Sequence, residues 1–84
     1  MTKTKQYKKN IDLSGKLAEY IISHPKIVKD MPKDASFVVF ASKDKELNKE
    51  NQKLVLSLKS EGKKVVKAIQ KQSKKDPWSF SLAI

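Results

Sequence analysis

Residues 35–41 read Ala-Ser-Phe-Val-Val-Phe-Ala, an apolar run whose members are consecutive rather than alternating. A strand of that kind suits a sheet covered on both faces, as in parallel sheets. The residues that follow support this. Ser42-Lys43-Asp44 is polar, and Leu47, Leu54, Val55 and Leu58 then fall at the spacing of one helical face. Asp44 suits the N-cap of that helix and Gly62 its C-terminal stop. Residues 64–70 bring Val65, Val66 and Ile69 into a second strand. Strand, helix and strand with a crossover of this length predict a right-handed βαβ unit carrying a small parallel sheet.

Upstream, Leu13, Leu17, Tyr20 and Ile21 lie on one helical face, so a helix is expected to start near Asn10 or Asp12. Pro25 disfavours helical geometry at His24 and stops that helix near Ser23. Pro25 then opens a short helical turn with Ile27 and Val28 inward. Residues 1–10 (MTKTKQYKKN) show no apolar periodicity and read as a flexible basic arm. The rest, residues 11–84, reads as a single small α/β domain. Downstream, Trp78, Phe80, Leu82 and Ile84 alternate with Ser79, Ser81 and Ala83 after a polar turn at 73–77. Three readings stand for this segment: an internal edge strand, a strand that pairs with a second copy, or a disordered tail. The second makes Trp78, Phe80 and Leu82 a candidate interface.

The chain has 84 residues, enough for one domain. A chain of this size buries only about 60–65% of the surface its unfolded form exposes, so its core is small. It has no cysteine, which leaves no disulfide, thiolate nucleophile or thiolate metal ligand and fits a reducing compartment. No apolar run approaches the roughly 20 residues of a membrane helix, and the basic N-terminus is not followed by an apolar stretch. The expectation is a cytoplasmic protein with no membrane partner.

The formal net charge is +10, with +4 in residues 1–10, +2 in 11–60 and +4 in 61–84. All 19 basic residues are lysine. Lysine supplies a mobile point charge, whereas arginine supplies the planar fork that reads base edges and grips phosphate. The excess therefore has two readings, a lysine-rich genome composition or a polyanion-binding surface.

Three motifs occur in order along the chain. The first is Tyr20-Ile21-Ile22-Ser23-His24-Pro25 at a helix end. The second is Met31-Pro32-Lys33-Asp34-Ala35, leading into the apolar strand. The third is Asp44-Lys45-Glu46-Leu47-Asn48-Lys49-Glu50-Asn51 at the next helix opening, whose helix ends at Glu61-Gly62. From Leu17 to about Gln70 this pattern resembles a small prokaryotic family of unknown function. Lys45, the heavy lysine load and the Trp-Ser-Phe-Ser tail depart from it. The resemblance implies the α/β fold and carries no activity.

Ser42, Lys43, Asp44 and Asn48 lie beyond the carboxyl end of the first strand, where open α/β sheets gather ligands. They form a candidate ligand edge, although no glycine is present to let the backbone approach a phosphate. Asn51 falls on the apolar face, which suggests a buried amide bonded to nearby backbone. Lys63, Lys64, Lys67, Lys71, Lys74 and Lys75 form a candidate polyanion surface, with Trp78 and Phe80 as neighbouring stacking platforms. His24 stands alone as a histidine and is better placed to cap helix carbonyls than to catalyse. No cofactor or metal is expected. The sequence favours a non-enzymatic binding module that self-associates, with a nucleic-acid-binding accessory protein as the alternative.

Overall fold

The structure is a computed structural model that describes residues 1–83. Its elements run α1 (Lys3–Ser23), α2 (Lys26–Lys29), β1 (Ser36–Phe40), α3 (Lys45–Ser60), β2 (Val65–Gln70) and β3 (Trp78–Ala83). The strands form one sheet in the order β1-β2-β3, with β1 and β2 parallel and β2 and β3 antiparallel. The expected α/β class and the parallel pair joined by a helix are present. The C-terminal segment is an internal edge strand, so the sheet is mixed. Ile84, expected to continue that strand, lies outside the described residues.

The helix boundaries follow their caps. Asp44 accepts the Leu47 N–H at 3.1 Å and starts α3. Gly62 has φ +78°, the left-handed conformation that ends a helix without the steric cost a Cβ would bring. At the other end of the chain the structure corrects the expectation of a flexible arm. Thr2 accepts the Lys5 N–H at 3.2 Å, and α1 runs unbroken from Lys3. Apolar periodicity is absent from residues 1–10 because their inward positions carry amides. Gln6 and Asn10 extend the Leu13–Leu17 stripe toward the N-terminus and bond to α3. Val28 is a second difference. It faces solvent, because the turn of α2 is too short to cover more than Ile27.

Side chains alternate across β1, so Val39 and Val38 serve opposite faces. On one face Val39 packs with Leu13, Leu17, Leu47, Ala68 and Trp78. On the other Val38 packs with Val55 and Val65. Because α3 supplies Leu47 to the first cluster and Val55 to the second, it passes obliquely around the edge of β1. Both long helices pack chiefly on β1, and β3 lies at the uncovered side of the sheet.

Trp78, read from sequence as a candidate interface residue, is a core residue with 4% of its surface exposed. Phe80 is half-buried against the same cluster and meets Phe37 edge-on at 6.5 Å. Only Leu82 of the three is substantially exposed, at 50%. Trp78→Ala is therefore expected to cost about 3–5 kcal/mol by cavity formation, and Leu82→Ala less than about 1 kcal/mol. Urea unfolding of the two variants measures both.

Candidate interaction edge

The two edges of the sheet are built differently. Ser36 donates its N–H to Lys64 at 2.8 Å, which turns the backbone groups of Ser36, Val38 and Phe40 toward β2. Those of Phe37, Val39 and Ala41 consequently face away from the sheet. Two asparagines of α3 meet both groups of Ala41 and the carbonyl of Val39. Asn48 accepts the Ala41 N–H and donates to the Ala41 carbonyl, both at 2.8 Å. This is the pair of bonds that a residue on a neighbouring strand would make. Asn51 donates to the Val39 carbonyl at 2.8 Å.

Asn51 is fully buried, and its amide is saturated. Besides Val39 it donates to Asn10 Oδ1 at 2.8 Å, and its own oxygen accepts from Asn10 at 3.1 Å and Gln6 at 3.2 Å. A primary amide has two donors and two acceptor sites, and here all four are used. Next to this network Lys9 bonds Asp44 at 2.6 Å, and the Met1 ammonium pairs with Glu46. The Lys9 ammonium, followed by the Leu47 N–H, holds the Asp44 carboxyl below its ordinary range.

These bonds engage most of the expected ligand edge. Asn48 closes the β1 edge, Asp44 is divided between its cap and Lys9, and the Ser42 N–H lies 3.4 Å from Gln70 Oε1. Ser42 and Lys43 are both exposed, and Lys43 takes part in none of these bonds. The sequence signalled Asn51 by its position on an apolar face. It also held a signal for Gln6 and Asn10, which sit at helical spacing from Leu13 and Leu17.

Among the described residues, no side chain bonds the outer edge of β3 in this way. Lys71 donates its N–H to Pro77 at 2.7 Å, which fixes the phase of the β2–β3 ladder. Ser79, Ser81 and Ala83 bond toward β2, and the N–H and C=O groups of Trp78, Phe80 and Leu82 point outward. Native edge strands are protected by charges, prolines or bulges. The span Trp78–Ala83 contains no charge and no proline, and its pairing with β2 runs without a bulge.

The six lysines of the candidate polyanion surface do not form one strip. Lys63 and Lys64 precede β2 while Lys71, Lys74 and Lys75 follow it, about 20 Å apart along an extended strand. Lys67 between them lies over the Phe40 ring at 5.6 Å. Lys63 pairs with Glu61 at 3.6 Å and Lys71 with Asp76 at 3.8 Å. Lys64, Lys74 and Lys75 are exposed. His24 Nδ1 lies 3.0 Å from the Tyr20 carbonyl and its ring stacks on Tyr20 at 4.3 Å, so it closes the end of α1.

Comparison with protein families matches residues 5–77 to the family of unknown function DUF5647. The chain belongs to this family. The match ends at Pro77, one residue before β3, so the open edge lies outside the stretch the DUF5647 comparison covers. No curated protein and no solved structure matches the chain.

Two measurements check this reading of the β1 edge. Asn51→Leu leaves the Val39 carbonyl and the Asn10 and Gln6 amides without their buried partner, an expected loss of about 2–4 kcal/mol in denaturant unfolding. The depressed Asp44 pKa gives stability that is present above the unfolded value of 3.8 and lost as pH falls through the folded value. Asp44→Asn should therefore flatten the decline in stability below about pH 4, measured by thermal melts across an acid series.

Proposed function

We propose that this chain is a non-enzymatic interaction module that accepts an extended strand along the outer edge of β3. The observation that carries this reading is the difference between the two sheet edges. Asparagine amides occupy the edge of β1 at Ala41 and the Val39 carbonyl, whereas β3 presents outward backbone groups at Trp78, Phe80 and Leu82 with no charge to repel a strand. An added strand gains main-chain hydrogen bonds from such an edge and selectivity from the alternate side chains beside it. Those side chains are Phe80 and Leu82, beside a depression of about 240 Å³ whose lining includes Ile27, Met31 and Pro32. The polar groups suited to chemistry have structural partners: His24 on the Tyr20 carbonyl, Asp44 on Leu47 and Lys9, and Asn48 on Ala41.

A nucleic-acid accessory role is the second reading, and it draws on the exposed Lys64, Lys74 and Lys75. It predicts binding of a single-stranded oligonucleotide with log affinity falling linearly against log salt. Titration of isotope-labelled protein separates the two. A short neutral peptide of alternating valine and threonine should shift and slow the exchange of the Trp78, Phe80 and Leu82 amides, leaving those of Ser79 and Ser81 nearly unchanged. No response at β3, together with salt-sensitive oligonucleotide shifts at the lysines, would replace the first reading by the second.

A further inference from the structure

We infer that the strand accepted by β3 is the β3 of a second copy, paired antiparallel and centred on Phe80. This rests on the strand-accepting reading above and adds the partner and the register. The pattern of β3 is the same in both directions about Phe80, with apolar residues at 78, 80 and 82 and serines at 79 and 81. Centred there, Phe80 faces the partner's Phe80, and Trp78 and Leu82 face the partner's Leu82 and the partner's Trp78. Each of these facing pairs exchanges two backbone hydrogen bonds, because their N–H and C=O groups are the outward ones. Apolar side chains meet apolar ones on the α1 face, and serine meets serine on the other.

The pairing is isologous and closed. It joins two three-stranded sheets into one, and both new outer edges are β1 strands on which Asn48 and Asn51 already engage Ala41 and the Val39 carbonyl. Only Phe37 and the Val39 N–H remain for a further strand on that edge, too short a run to extend the sheet, so a second copy ends the assembly at two. The half-exposed Leu82 becomes covered, which enlarges a small core.

Charge gives the association a distinctive sign. Lys71, Lys74 and Lys75 lie before β3, and Lys63 and Lys64 lie beside its far end, since Val65 pairs with Ala83. Antiparallel pairing brings the first group of one copy toward the second group of its partner. That repulsion is screened over about 10 Å at 0.1 M salt, so added salt tightens the dimer. Nucleic-acid binding has the opposite dependence.

Sedimentation equilibrium of the full chain, from micromolar to millimolar protein at low and high salt, tests the inference. The expected result is a monomer–dimer equilibrium that shifts toward dimer with salt. Leu82→Pro removes an outward N–H and no bond within the sheet, so it should weaken association at least about tenfold with the fold retained. A cross-link reads the register independently of that variant's folding. Ser79 faces the partner's Ser81 as a non-hydrogen-bonded pair about 4.5 Å apart at Cα, within the disulfide range of about 4.4–6.8 Å. The native chain has no cysteine, so mixing Ser79→Cys with Ser81→Cys protein under mild oxidation should give disulfide dimers faster than either variant alone. A monomer at millimolar concentration overturns the inference, as does equal cross-linking in the mixture and the single variants. If the valine–threonine peptide engages β3 while the chain stays monomeric, the strand-accepting edge stands and the second copy is wrong. If neither happens, both fail.

Discussion

The Asn51 amide is where three elements of this small chain are tied together. It sits on α3, donates to the backbone of β1 and exchanges bonds with Asn10 and Gln6 of α1. In a low-dielectric interior an unpaired amide is costly, and a fully paired one holds a single arrangement of its neighbours. With Asn48 one turn earlier on Ala41, it covers the Val39–Ala41 end of the β1 edge. The oblique path of α3, from Leu47 on one face to Val55 on the other, follows from this anchoring at the edge.

The closed edge gives the open one its meaning. A chain of 84 residues with a +10 charge has little core and considerable self-repulsion, both of which limit its stability. Its helices are committed to β1, so β3 is held by β2 on one side and by Trp78 in the core. The remaining side of β3 is uncharged in a protein otherwise dense in lysine. Lys63, Lys64, Lys71, Lys74 and Lys75 stand at the two ends of β2 and Lys67 in its middle, so positive charge flanks β3 without lying on it.

Membership in DUF5647 covers the α1-to-β2 scaffold and ends before β3. The asparagine closure therefore lies within the shared stretch and the open edge outside it. The expected helix opening at Asp44 to Asn51 proves to be the structural fastening of that scaffold, in which Asn48 closes an edge instead of facing a ligand. Sequence reading placed these residues together correctly and left their partners open. A side-chain amide at a helix start has the same signature whether it meets a ligand or a strand.

The sequence by itself determined the βαβ framework, the stop of α1 before Pro25 and the cap of α3 at Asp44. Each depends on neighbours within a turn or on periodicity along one element, which a linear pattern carries in full. Tertiary structure decided the rest. Residues 3–10 join α1 because Gln6 and Asn10 find Asn51 more than forty positions away, and isolated propensity is too weak to fix a helix alone. Trp78 entered the core and Leu82 stayed out although both sit on one face of the same strand, because Leu13, Leu17 and Val39 cover only one end of it. Which edge is open depends on where α3 lies. No local spacing encodes that, since it arises only when helix and sheet pack.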